Sequence, residues 1–267
     1  MLTQQDIEQA AIDLCAAEEN RQPIRALSLR YPDLSLDQAY SIQEQVVQRK
    51  IASGDRLVGY KIGYTSRAMQ KALNITEPDF GVLLDSMVFA DGGEIEAAQF
   101  CDPRIEAELA FVLKDRLAGE HVTIFDVLNA TDYVVPALEI IAARSHRKDP
   151  ETGYTRKVAD TVADNAGNAG IVIGGRPIKP TERDLRWCGG ILYLNGVIEE
   201  TGLAAAVLNH PANGICWVAK RFAPHGVSLE PGQIILSGSF TAPIAVGQGD
   251  TIHADYGPLG GISCRFV

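Results

Sequence analysis

Several absences bound this chain of 267 residues before any motif is read. Its five cysteines (Cys15, Cys101, Cys188, Cys216 and Cys264) are odd in number and scattered, with no CxxC pair. A disulfide framework and a thiolate zinc site are therefore not expected, and a reducing cytoplasm is the expected home. No apolar run reaches the roughly 18 residues that a membrane helix needs. The opening MLTQQDIEQAAIDLC is polar and acidic, unlike a signal or transit peptide. No GxGxxG or P-loop occurs, so a dinucleotide or ATP enzyme is not expected. Basic residues are also outnumbered, with 24 Lys+Arg against 34 Asp+Glu and a formal charge of −10. Such a surface repels phosphate backbones and anionic membranes, so neither nucleic acid nor membrane is an expected partner.

What remains is ordinary globular composition, 46% hydrophobic and 22% charged, in a chain long enough to bury a sizeable core. The front reads as helical. Thr3 with Asp6 caps one helix whose apolar positions Ile7, Ala11 and Leu14 recur at helical spacing. Ser35 with Gln38 opens a second, striped by Ala39, Ile42 and Val46 and ended by Gly54. Behind Gly54 the pattern turns β-rich. VGYKIG (58–63), PRIEAELAFVL (103–113) and YVVPALEIIAA (133–143) read as strands, the last as a buried one. Thr123 and Asp126 open a short helix, and LNG at 194–196 marks a hairpin turn. Residues 144–158, with five Lys/Arg, read as a mobile surface loop. Strands and helices do not alternate, which argues against Rossmann and TIM-barrel folds. The expected class is α+β: a helical N-terminal region (1–57), then a β-rich catalytic domain (58–267) built on one strongly bent mixed sheet.

Three acidic residues carry the chemical argument. Alternation in the strand 104–113 puts Glu106 and Glu108 on one face with Arg104, about 6.6 to 6.8 Å apart by strand rise. Glu139 is the only charged residue between Asp132 and Arg144. A lone carboxylate in a buried strand needs a partner. A hard divalent cation, Mg2+ or Mn2+, suits three carboxylates. A solvated E-x-E face, neutralised in part by Arg104, explains the pair as well, and a lysine could satisfy Glu139. Lys61, between Gly59 and Gly63, is either a fixed charge at a site or a lysine reaching water. Asp79 in EPDFG reads as a turn residue or a proton carrier. Thr161 and Asn165 in a run of small and polar residues, and the turn around Ser239 in SGSFT, could each hold a ligand or merely bend the chain. Capping explains His210 before Pro211 as well as catalysis does.

The ordered set KIGYTSRAM, EPDFG, PRIEAELAFVL, ATDYVVPALEI, DTVADNAGNAG, LNGVIEETG, VLNHPANG and GQIILSGSFT spans nearly the whole chain. Together these segments resemble the hydratase/decarboxylase family of meta-cleavage pathways, within the fumarylacetoacetate hydrolase superfamily. The resemblance implies that family's β-rich C-terminal fold behind a helical region. It implies one divalent metal, usually Mg2+, on Glu106, Glu108 and Glu139, with Lys61 and Asp79 as catalytic residues. Thr161 falls on its substrate-facing hydroxyl position, and Lys157 lies near a lysine of distant members. The implied reaction is hydration of 2-oxohept-4-ene-1,7-dioate to 4-hydroxy-2-oxoheptane-1,7-dioate, by ketonisation and then Michael addition of water. Decarboxylation of 2-oxo-3-hexenedioate and hydration of 2-hydroxypenta-2,4-dienoate are the enzymatic alternatives. A non-enzymatic dicarboxylate-binding protein is another. Arg104 and the basic loop 144–158 are charge-based candidates for the distal carboxylate of a 2-oxo dicarboxylate. Homo-oligomers, often five-fold rings, are the implied assembly.

Overall fold

The computed structural model describes residues 2–267. In chain order it runs α1 (Gln4–Asn20), α2 (Leu27–Arg30), α3 (Leu36–Ala52), β1 (Leu57–Gly63), α4 (Arg67–Leu73), β2 (Asp79–Leu84), β3 (Val88–Ala90) and β4 (Gly93–Ile95). There follow β5 (Arg104–Leu113), α5 (Ile124–Ala130), β6 (Thr131–Ile141), α6 (Val158–Ala163), β7 (Asn168–Ile173), β8 (Gly189–Leu194) and β9 (Val197–Leu203). The chain closes with α7 (Ala212–Phe222), β10 (Ile234–Leu236), β11 (Ile244–Ala245), β12 (Thr251–Asp255) and β13 (Gly261–Phe266).

Local chemistry sets the helix starts. Thr3–Asp6, Ser35–Gln38 and Thr123–Asp126 each form a reciprocal capping box, satisfying amides that the first helical turn leaves unpaired. The apolar stripes of α1 and α3 then pack on each other and on α6. Their cluster holds Ile7, Ala11, Leu14, Ala39, Ile42, Val46, Val162 and Ala163. Ser28 reinforces this seam, its amide and hydroxyl both donating to the Asp160 carboxylate.

The β part is two sheets, not the single bent sheet expected. The larger runs β2-β1-β10-β5-β6-β7-β3, with β11 also on β5; the smaller runs β4-β13-β12-β8-β9. Both are mixed: β1–β10, β3–β7 and β4–β13 are parallel and the other pairings antiparallel. The hairpin β8–β9 turns through Asn195 (φ 53°) and Gly196 (φ 82°), the left-handed pair that a tight hairpin requires. One face of β5 (Ile105, Ala107, Leu109, Phe111) joins the main core with Ile252, Ala254 and Ile262 of the smaller sheet. The other face of the large sheet carries Leu83, Ala110, Val135, Ala137, Ile171 and Leu236. Along β5 and β6 that second apolar row is continued by acids, and there the site lies.

Two local expectations are corrected. The segment 144–158 is a surface loop, exposed from Pro150 to Gly153, but it is anchored: Arg144, Ser145 and Asp149 are buried, and Arg25 grips Asp149 through Nε at 2.7 Å. Residues 158–163, read as a turn, form α6 because Asp160 caps the Lys157 amide and buried Ala159, Val162 and Ala163 face α1 and α3. All five cysteines are free. Among the described residues, no helix is long and apolar enough to cross a membrane.

Candidate active site

The ladder register builds the centre. Glu106 of β5 and Glu139 of β6 are direct cross-strand partners, and Glu108 lies two residues along on the same face. One carboxylate oxygen from each of the three lies within 4.8 Å of the others. Like charges directly opposite across a ladder repel, and low-dielectric surroundings strengthen that repulsion. Burial, with Glu139 adding to it, pushes Glu106 up to about 8. Burial and the same neighbour raise Glu108 well above the carboxylate range. Glu139 rises too, through burial that Lys61 only partly offsets.

These residues fit a divalent cation. All donors are hard oxygens, gathered closely enough that one small divalent cation would be held by all three carboxylates. Glu139 Oε1 is buried without a hydrogen bond, so it has coordination to spare. Glu108 is aimed by the Gly238 amide, which donates to its Oε2 at 2.9 Å. Gly238 (φ 118°) has no alternative there, since a Cβ would lie 2.3 Å from Thr65 Oγ1.

Lys61 and Asp79 stand beside the acids. Lys61 Nζ is buried, 3.7 Å from Glu139 Oε1. Burial pulls its pKa down, but Glu139 and Asp79 outweigh that and hold it firmly as the ammonium. Asp79 starts β2 opposite Gly63, and neither of its buried oxygens makes a hydrogen bond of normal geometry. Burial raises it against the pull of Lys61. Gly63 makes this approach possible: a Cβ there would sit 2.2 Å from Asp79 Oδ1 and 2.9 Å from Lys61 Nζ.

All five of these residues line one cavity of about 510 Å³, together with Thr161 of α6 and Ser239. That size suits a small organic acid. Ser239 is fixed by donating its hydroxyl to carbonyls of Ala107 and Thr241. Two expected residues lie elsewhere. Arg104 does not line the cavity; it stands at the start of β5, paired in the sheet with Ile141 and Ala245, and its Nε is buried without a partner. Lys157 turns outward as the cap residue of α6 and donates from Nζ to the Pro32 carbonyl. Asn165 is an anchor, exchanging side-chain hydrogen bonds with both backbone groups of Val82. His210 caps α7, its Nδ1 accepting from the Ala212 amide.

Arg147 and Arg156, from the basic segment 144–158 offered on charge alone for the distal carboxylate, also line the cavity. Tyr64 (φ 55°) and Ala166 (φ 51°) adopt left-handed backbone that non-glycine residues rarely take. Such strain gathers at ligand sites, but no sequence pattern announces it.

Residues 52–267 match the family model for the fumarylacetoacetate (FAA) hydrolase C-terminal domain. The chain is 59% identical over 251 residues to the 2-oxo-hept-4-ene-1,7-dioate hydratase of Escherichia coli, covering 94% of each. It is 40% identical over 265 residues to a 2-keto-4-pentenoate hydratase of Paraburkholderia xenovorans (strain LB400), covering 99% of this chain and 96% of that one. Among solved structures it superposes on the 4-oxalocrotonate decarboxylase of Pseudomonas putida G7, complexed with magnesium and adipate. The TM-score is 0.94 at 33% identity, covering 100% of this chain and 99% of that one. Matched over most of its length in sequence and over all of it in backbone, the chain belongs to the fumarylacetoacetate hydrolase family.

Proposed function

We propose that the chain is a divalent-metal-dependent hydro-lyase that converts 2-oxohept-4-ene-1,7-dioate to 4-hydroxy-2-oxoheptane-1,7-dioate in meta-cleavage catabolism. The observation that carries this reading is the three-carboxylate cluster of Glu106, Glu108 and Glu139 beside a buried Lys61–Asp79 pair. The 59% identity to a hydratase of that name supports the substrate. Glu106, Glu108 and Glu139 hold the cation, Mg2+ or Mn2+. Bound there, it supplies Lewis-acid polarisation of the substrate's 2-oxo group.

Asp79 has the free oxygens to carry a proton. It takes one from C3 and returns it at C5, bringing the double bond into conjugation with the 2-oxo group. Lys61, held as the ammonium, places fixed positive charge where the enolate develops. Water then adds at C4 and a proton returns to C3. Thr161 and Ser239 orient the chain of the substrate from the cavity wall. Burial of the acids excludes bulk water and strengthens these charge interactions.

Residues 1–57 are read as a helical region and 58–267 as the catalytic domain; the helices have an apolar cluster apart from the main core, and they share that cluster with α6 of the catalytic part. Assembly into a homo-oligomeric ring and a cytoplasmic home belong to the same reading. The test is incubation of purified protein with 2-oxohept-4-ene-1,7-dioate, supplied as its 2-hydroxy-2,4-dienoate tautomer, with Mg2+ and with a chelator. Expected are loss of the ultraviolet absorbance, formation of the 4-hydroxy product without CO2, and arrest by the chelator. Evolution of CO2 instead identifies a decarboxylase, and metal-dependent binding without turnover identifies a binding protein.

A further inference from the structure

The cavity contains a cationic group whose hydrogen-bonding edge its acids leave unused. Arg156 lines it with a side chain only 8% exposed. All its hydrogen bonds leave from Nη1, to the Ser145 carbonyl and hydroxyl and to Asp164 Oδ2. The Nε–Nη2 edge keeps its donors. That edge is the fork that grips carboxylates in this protein, as Arg25 shows by holding Asp149 through Nε and Nη2. Arg147, the other arginine of the cavity, has already committed the same edge to Asp102.

Local charge points the same way. Asp164 is shared, since Arg144 also binds it from behind. Glu18, the other acid near Arg144, is itself paired with Lys50 at 2.6 Å. Arg144, Arg156 and Lys50 outnumber Asp164 and Glu18 by one in this group, and the acid of the cavity that feels the Arg156 charge is Asp79. Burial pulls Arg156 below the ordinary guanidinium value, and repulsion from Arg147 and Arg144 opposes the help of Asp164. A guanidinium does not discharge in a protein, so an incoming anion relieves this site.

We propose that Arg156 is the specificity-determining residue that receives the distal carboxylate of a dicarboxylate substrate, through its Nε–Nη2 edge. The inference rests on the reading of the cavity as a 2-oxo acid site, and it names what separates dicarboxylate from monocarboxylate ligands there. Arg144 and Asp164 act as positioning residues behind it.

The test is calorimetric titration, in Mg2+, of two saturated ligands that differ only at the far end: 2-oxoheptanedioate and 2-oxoheptanoate. Wild type is expected to prefer the diacid by on the order of 30-fold or more, the scale of a buried, hydrogen-bonded charge pair. R156M brings the ratio near one, and R156K, which keeps charge but not the fork, lies between. R147M keeps the wild-type ratio. Comparing two ligands on one protein removes general losses of affinity, and R156K decides the matter if R156M fails to fold. An unchanged ratio in R156M or R156K, a collapsed ratio in R147M, or no diacid preference in wild type overturns the assignment. Turnover of the unsaturated diacid is measured on the same wild-type sample. Its absence defeats the proposed activity, whereas turnover with an unaltered R156M ratio defeats the role of Arg156 alone.

Discussion

Glu106 and Glu139 face each other as a direct pair across the β5–β6 ladder, two carboxylates where a sheet ordinarily places apolar or opposite-charge partners. Without a cation the pair opposes folding. Glu106→Gln is therefore expected to leave the metal-free protein at least as stable as wild type, with a gain of up to about 1 kcal/mol. It should also abolish the stabilisation that Mg2+ gives wild type, about 2.7 kcal/mol at a hundredfold excess over Kd. Urea unfolding with and without Mg2+ measures both effects. A Mg2+ effect of wild-type size in the variant contradicts the assigned role.

Among the described residues, Lys61 is the one cation set directly against Glu139. Lys61→Met leaves Glu139 and Asp79 with uncompensated burial, at a cost of about 3–5 kcal/mol. Hydration should fall by on the order of 10²–10³-fold. Chemical denaturation and steady-state turnover report the two losses separately. A variant of wild-type stability and turnover removes Lys61 from the account.

Gly63 tests the placement of the Asp79–Lys61 pair without altering any charge. A methyl group there meets Asp79 Oδ1 at 2.2 Å and Lys61 Nζ at 2.9 Å and must displace them. Gly63→Ala is expected to lose on the order of 10²-fold in kcat, the scale of small misplacements at a reacting centre. Mg2+ affinity should stay close to wild type, because the three glutamates are untouched. Full activity would show that the Asp79 position is immaterial.

His210 carries a pH dependence away from the metal site. Its neutral Nδ1 accepts the Ala212 amide, and burial lowers its pKa, with Arg186 adding to that and Asp184 opposing it. The unfolded side chain titrates near about 6.5. The folded state therefore binds fewer protons below that pH. The stability that His210 contributes is complete above about 6.5 and is lost as pH falls toward the lower folded value. His210→Asn, which caps without titrating, should flatten the fall in urea midpoint between pH 7 and 5. An equal slope in both proteins contradicts this.

The helix starts and the acid cluster were legible because their causes are local. Thr3–Asp6 and Ser35–Gln38 announce capping boxes by spacing, and a charged residue inside Tyr133–Ala143 is anomalous before any fold is known. The pairing of Glu106 with Glu139 was not legible, because register between strands is set by packing and by turns. Arg104 misled for a related reason. Alternation gave it the face of Glu106, but as the first residue of β5 it stands beyond the cavity that the acids line. The 144–158 segment misled by composition, since its charges are spent on buried pairs such as Arg144–Asp164 and Arg25–Asp149. Splitting into two sheets depends on contacts distant in sequence, and no window of residues contains them.

The central claim is that three glutamates from two neighbouring strands gather one divalent ion. Anomalous diffraction from crystals soaked in Mn2+ tests it most directly. The account predicts a single strong peak about 2.2 Å from carboxylate oxygens of Glu106, Glu108 and Glu139 together. A cavity with no peak, or a peak held by other residues while these acids point apart, would contradict it.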